Sequence, residues 1–239
     1  MNEDFISTVS HELRTPLTSI KGFSETMLSS WDKLDDENKK KFLKIIIEQS
    51  NRLINLVENM LSVTKLQNTN EDLIYKEFSI KPVIEMTCSV IKNQYPDKNF
   101  EITIDEKTPH ILADKDKFQQ IMTNLTENAA KYGDENSTIK IQTSYTEENV
   151  SIKVINQGIE INKDDYEKIF TKFSRIDNPL TRKVQGSGLG LYITKTLIEK
   201  MGGKISVNSQ NHQTEFEITL QSANIERQAK NAVGNSDNR

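Results

Sequence analysis

Three clusters of residues in this chain carry groups that can do chemistry. The first is Ser10-His11-Glu12-Leu13-Arg14-Thr15-Pro16-Leu17. A neutral imidazole is a competent nucleophile. Glu12 beside it can hydrogen-bond the far ring nitrogen, fix the tautomer and take its proton during attack. Pro16 has no N–H, so the carbonyl of Glu12 loses its helical partner and a helix here should bend. The second cluster is Asn124-Leu125-Thr126-Glu127-Asn128-Ala129-Ala130-Lys131-Tyr132. On a helix, Asn124, Asn128 and Lys131 project from one face. Amide oxygens suit Mg2+, which keeps its waters and takes few protein ligands, and a nearby ammonium offsets phosphate charge. The third cluster is Gly186-Ser187-Gly188-Leu189-Gly190-Leu191. Backbone N–H groups opening a helix favour phosphate, and glycines allow it close. Alone, such a run reads equally well as a flexible loop.

The elements that must position these groups are visible in the apolar pattern. Phe5, Ile6, Val9, Leu13, Leu17, Ile20, Phe23, Met27 and Leu28 recur at steps of three and four, a helical stripe. Trp31 to Asn38 is polar and reads as a turn, with Asp35 or Asp36 capping the next helix. Phe42, Ile45, Ile46, Leu53, Leu56, Val57, Met60, Val63 and Leu66 form a second stripe. Two long helices and a short turn make an antiparallel hairpin. One hairpin buries both stripes poorly, whereas two copies do so as a four-helix bundle, which predicts a homodimer.

Residues 68–77 read as a linker, and from Phe78 strands and helices alternate. Strands are expected over 100–104, 139–144, 150–155, 204–209 and 215–220, and helices over 115–132, 164–173 and 188–201. Gly202-Gly203 stops the last helix, and 177–187 is a polar loop opening onto the glycines. The fold class expected is an all-α hairpin, domain 1–67, followed by an α+β two-layer sandwich over 78–221, one mixed sheet with helices on one face. Residues 222–239 lack periodicity and are expected to be disordered.

The chain has 239 residues, enough for one large or two small domains. Its 31 basic and 35 acidic residues give a net charge of −4, which argues against nucleic acid as main partner. Cys88 is the single cysteine, so no disulfide forms within the chain and a cytoplasmic compartment is favoured. Three histidines and one cysteine do not make a structural zinc site. No run approaches the ~18 consecutive apolar residues of a membrane helix, and the acidic start is not a signal peptide. No membrane contact is expected of these residues. The histidine cluster stands almost at Met1, which leaves open both a complete chain and a piece of a longer, membrane-anchored parent.

Residues 5–17 resemble the H-box of histidine kinases almost residue for residue. The whole of 1–221 is similar to the dimerisation/phosphotransfer and catalytic ATP-binding (GHKL-type) domains of bacterial two-component sensor kinases, in the subfamily with His-Glu-x-x-Thr. The resemblance implies His11 as phosphoacceptor, Glu12 as its acid/base partner, and Thr15 as orienting a water that dephosphorylates the response regulator. The second cluster matches the family's N-box. There Asn128 ligates Mg2+, Asn124 supports the phosphates, Lys131 pairs with them and Tyr132 lies along the nucleotide. The glycine run matches the second glycine box, with Gly186, Ser187, Gly188, Leu189, Gly190 and Leu191 around the phosphates and Arg182 and Lys183 in the lid before it. Phe170-Thr171-Lys172-Phe173-Ser174-Arg175 resembles the F-box. Arg175 would touch the γ-phosphate, and Phe170 and Phe173 would anchor core and lid.

The first glycine box departs from Asp-x-Gly-x-Gly-Ile and reads Asn156-Gln157-Gly158-Ile159-Glu160-Ile161. Gly158 and Ile161 match. Asn156 replaces the aspartate that accepts from the adenine amine. It can still accept, and can also donate to a ring nitrogen, at a cost of ~1 kcal/mol in lost charge assistance. Glu160 replaces the second glycine, where a need for positive φ would strain it and a carboxylate would repel phosphate.

The resemblance thus implies a kinase that uses ATP and Mg2+, autophosphorylates on His11, and serves an aspartate on a receiver domain absent from this chain. The alternatives are a catalytically weak module that binds the regulator as phosphatase or scaffold, and an ATPase of the chaperone and topoisomerase kind. The hairpin bearing His11 argues against the last.

Overall fold

The computed structural model describes residues 2–67, 73–174 and 186–224, with side chains from Ile6 onward. The chain divides into two compact units, 1–67 and 68–239.

In the first unit α1 (Asn2–Ser30) and α2 (Asp36–Gln67) form the expected hairpin. Helix α1 continues through Pro16. Of the two candidate caps, Asp35 is the one used: its carboxylate accepts from the Asn38 backbone N–H at 2.7 Å and from Asn38 Nδ2 at 3.1 Å. Phe23 and Phe42 join the helices with ring centres 5.2 Å apart. Met27 and Leu56 are buried, whereas Ile47, Ile54 and Leu61, at heptad spacing on α2, are each more than half exposed.

The second unit runs β1 (Tyr75–Phe78), α3 (Ile80–Gln94), β2 (Asn99–Thr103), β3 (Ile111–Asp114), α4 (Lys115–Tyr132), β4 (Thr138–Tyr145), β5 (Asn149–Gln157), α5 (Gly190–Lys200), β6 (Lys204–Gln210) and β7 (Gln213–Gln221). Strands β1 and β3 pair alone, and the main sheet has the order β2-β4-β5-β7-β6. It is mixed: β2 lies parallel to β4, and the other pairs are antiparallel. Alternation along β5 and β7 places Val150 opposite Leu220, Ile152 opposite Ile218 and Val154 opposite Phe216, all buried. The last inward pair in this row is polar, Asn156 opposite Thr214. Helical stripes cover this face: Val83, Ile84 and Ile91 from α3, Phe118, Ile121 and Leu125 from α4, Ile193 and Leu197 from α5. The other face carries charge, with Lys153 Nζ 2.8 Å from Glu215 and 3.8 Å from Glu217.

The α+β sandwich is therefore as expected, with local differences. Residues 75–77, read as the end of the linker, belong with Phe78 to strand β1, whose side chains are mostly exposed, a composition that mimics a linker. Helix α3 carries Pro82 in its first turn, where no helical hydrogen bond is lost. The helix expected over 164–173 is instead two 3-10 turns, Lys163–Asp165 and Lys168–Phe170. A tertiary tie interrupts it: the Tyr166 hydroxyl accepts from Ser209 N–H at 2.6 Å and donates to its carbonyl at 3.1 Å. Helix α5 starts at Gly190 rather than Gly188, because Gly188 takes φ +67°. Ser222 bridges to Ile111 and Ala223 N–H donates to His110 O at 2.9 Å, so the fold reaches past 221. The loop expected over 177–187 lies outside the described residues up to 185, as does the tail from 225.

Candidate functional site

The end of α4 is stitched to the end of β5. Gly133 bridges to Gly158, Ile159 N–H donates to Tyr132 O at 3.3 Å and Asp134 N–H to Gln157 O at 2.9 Å. Gly158 has φ +157°, and a Cβ there would lie 2.2 Å from Tyr132 O, so only glycine permits this approach. The junction brings Asn128 and Tyr132 of α4 to the same cavity as Asn156 of β5. The cavity is open to solvent; its apolar walls are Ile159, Ile161, Ile169, Leu191 and Phe216, and Thr214 and Ser174 complete its polar lining. Phe170, expected as a core anchor, is buried edge-to-face on Phe216 at 6.3 Å.

Asn156 is 3% exposed, and its Nδ2 has no hydrogen-bond partner. An orphaned buried donor costs roughly 1–3 kcal/mol, which a ligand acceptor would relieve. The Thr214 hydroxyl beside it is already engaged with Ser209 Oγ at 2.7 Å and Ile159 O at 3.3 Å. Glu160 does not act as feared. Its backbone is outside the left-handed region, its side chain is exposed, and its carboxylate accepts from His212 N–H in the β6–β7 turn.

Other expected residues stand differently. Asn124 Nδ2 donates to Thr194 Oγ1 at 3.3 Å and to Gly190 O at 3.5 Å, so Asn124 ties α4 to the start of α5 instead of facing the cavity. Lys131 Nζ is 2.8 Å from Glu127 Oε1 one turn back. In the glycine run, a Cβ on Gly188 would meet Phe173 backbone at 2.7 Å, and one on Gly186 would lie 4.0 Å from the Tyr132 hydroxyl. Phe173 itself has φ +58° and is half-buried. Leu189 is fully buried and fixes the start of α5, and its N–H donates to Ser187 Oγ at 3.3 Å. Ile161 N–H donates to Ser209 Oγ at 2.9 Å. Arg175, Arg182 and Lys183 lie outside the described residues.

On α1, His11 and Thr15 are exposed and Pro16 is buried. Thr15 Oγ1 donates to the His11 carbonyl at 3.2 Å. The Glu12 carboxylate, expected on the neighbouring ring, is taken by Arg52 of α2 at 3.3 Å. Successive helical side chains diverge by about 100°, so Glu12 reaches the facing helix more readily than His11. Sequence reading also missed Thr214 and Phe216, whose signal was the alternation of β7 set in register with β5.

A nucleotide-type cavity on an α+β sandwich, following a helical hairpin with an exposed histidine, defines a phosphoacceptor hairpin joined to an ATPase-type domain. Residues 1–69 match the family model of the His Kinase A (phospho-acceptor) domain, and 113–224 that of the histidine kinase-, DNA gyrase B- and HSP90-like ATPases. The sensor histidine kinase YcbM of Bacillus subtilis (strain 168) is 32% identical over 218 residues, 90% of this chain and 70% of that protein. The signal transduction histidine-protein kinase ArlS of Staphylococcus haemolyticus (strain JCSC1435) is 34% identical over 215 residues, 90% of this chain. This chain spans 47% of that ArlS. The solved structure of histidine kinase ThkA in complex with response regulator protein TrrA superposes with a TM-score of 0.74 at 27% identity, covering 92% of this chain and 62% of that one. The chain belongs to the sensor histidine kinase family.

Among the described residues no helix is long and apolar enough to cross a membrane.

Proposed function

We propose that the chain is the core of an ATP-dependent protein-histidine kinase that autophosphorylates on His11 and passes the phosphoryl group to an aspartate of a response regulator. The observation that carries this reading is a cavity in which a buried, unpartnered amide, Asn156, stands among apolar walls. It accompanies an exposed imidazole on the phosphoacceptor hairpin. The walls suit the faces of a purine and the amide suits its edge, with Tyr132 alongside the nucleotide. The glycine run at the start of α5 offers backbone N–H groups to phosphate. Asn124 keeps that run in place, and Lys131 and Arg175 meet the phosphates.

Asn128 supplies a hard amide oxygen in the same cavity. That fits Mg2+, which takes most of its ligands from water and phosphate. When bound, the ion offsets charge on the phosphates. A ring nitrogen of His11 bonds to the γ-phosphorus as the bond to the β–γ bridging oxygen breaks and ADP leaves. The proton on the other ring nitrogen passes to Glu12, which gives up Arg52 or uses its second oxygen. Thr15 orients the water that later dephosphorylates the regulator. The ThkA complex supports a response regulator as partner. The exposed heptad seam on α2 supports a homodimer. The lone cysteine and the use of ATP support a cytoplasmic location.

The weak-kinase alternative needs Glu160 or Asn156 to spoil the site. Glu160 turned toward His212 and a buried, unpartnered donor on Asn156 favour the active reading. The test is incubation with γ-labelled ATP and Mg2+ beside His11→Ala. Acid-labile, base-stable label on the wild type alone is expected. Label on both chains, or on neither, rejects the proposal.

A further inference from the structure

We propose that the cleft accepts 6-oxopurine as well as 6-aminopurine nucleotides, because its buried reader is an amide that can present donor and acceptor in either order. The inference rests on the nucleotide reading of the cleft. The β5–β7 ladder fixes the position of Asn156 opposite Thr214. Its amide orientation is not fixed in the same way. Nδ2 is buried without a partner, and the Thr214 hydroxyl is occupied by Ser209 and Ile159. A half-turn about the last side-chain bond exchanges the two ends and breaks no hydrogen bond to Nδ2.

The two purine classes differ at the edge such a group reads. A 6-aminopurine offers a donor at its exocyclic nitrogen and an acceptor at N1. A 6-oxopurine offers an acceptor at O6 and a donor at N1. An amide matches the first with Oδ1 toward the amine and Nδ2 toward N1, and the second with the ends exchanged. A carboxylate in the same place only accepts, so it repels O6. The apolar walls touch ring faces and are blind to this difference. Asn156 is thus permissive where an aspartate would be selective.

Titration with ATP, ITP and GTP in one magnesium buffer, by displacement of a ribose-labelled fluorescent nucleotide, reads this directly. In the wild type ITP should bind within about tenfold of ATP, whereas Asn156→Asp should widen the ATP preference over ITP by about tenfold or more. GTP follows ITP unless its 2-amino group, which ITP lacks, meets a wall. Wild type that binds ATP more than about tenfold tighter than ITP overturns the inference and leaves the nucleotide site standing. An unchanged ratio in a folded Asn156→Asp overturns the assignment to this residue. Binding of none of the three nucleotides overturns both readings. The wild-type comparison holds even if the variant fails to fold.

Discussion

Glu12 on α1 and Arg52 on α2 form an ion pair at 3.3 Å across 40 residues of chain, both side chains 23% exposed. The pair aims the acid next to His11 across the hairpin instead of along its own helix. If Glu12 receives the proton of His11, Glu12→Gln should slow autophosphorylation by ~100-fold or more while ATP binding is unchanged. Arg52→Ala should destabilise the hairpin by only about 1 kcal/mol, as part-exposed pairs do. Rapid-quench phosphorylation with a parallel urea denaturation separates the two. Equal losses of rate in the two variants would make Glu12 a structural strut.

Two glycines should respond in opposite directions to alanine. Gly158 sits at φ +157° with its missing Cβ overlapping Tyr132 O, and Gly22 in α1 has nothing within 4 Å of that point. Gly158→Ala should cost ~2 kcal/mol or more and abolish detectable nucleotide binding, since the strand end and helix end must separate. Gly22→Ala should stabilise by ~0.5–1 kcal/mol through helix propensity. Thermal denaturation with and without ATP checks both.

The exposed seam of Ile47, Ile54 and Leu61 calls for a second copy of the hairpin. Ile54→Asp should shift the chain from dimer to monomer in sedimentation velocity, without changing the ATP affinity of the second unit. A wild type that is monomeric at tens of micromolar would remove the dimer.

Helix α4 was legible to the residue because its signals are local. Asp114 caps it by accepting from Asp116 and Lys117 N–H, both at 3.1 Å, and Gly133 ends it. The strands over 150–155 and 215–220 were legible as strands, but the β5–β7 register that sets Val154 against Phe216 and Asn156 against Thr214 was not. What failed to show depends on distant partners. The 3-10 turns at 163–170 exist because Tyr166 is tied to Ser209, 43 residues away. Glu12 faces Arg52 on another helix, and Asn124 faces Thr194, 70 residues on. Glu160 looked damaging by pattern, but the backbone makes no use of left-handed geometry at that position. Spacing placed the residues on the right faces and could not say which neighbour each would take.

Lys98 is one such distant support. It is 4% exposed, and its ammonium donates to Asp134 O at 2.8 Å and Gly133 O at 3.3 Å, with Asp97 at 2.7 Å. It holds the segment that leaves α4 beside the cavity. Lys98→Met should cost about 2 kcal/mol, because two carbonyls lose their donor. It should also weaken ATP binding by up to about tenfold, or ~1.4 kcal/mol, as Tyr132 loosens. Lys98→Arg should recover part of both. Loss of stability with unchanged ATP affinity would confine Lys98 to folding.

Alkaline pH should destabilise the second unit through groups the reaction does not use. Burial, then Glu127 and Asp97, pushes the Tyr95 phenol from its ordinary 10.0 up to about 12. Burial, then Glu85, pushes the Cys88 thiol from 9.0 up to about 12. In both cases the folded chain keeps a proton that the unfolded chain releases. Stability is therefore full below the unfolded values and falls as pH rises from about 9 toward 12. Denaturation midpoints should decline across that window, and Tyr95→Phe should flatten the decline above pH 10, the ordinary phenol value. Cys88, buried and protonated, should react with a thiol reagent at pH 8 only upon unfolding. Fast labelling of the native chain at that pH would mean that α3 opens readily and that its buried face is less secure than its packing implies.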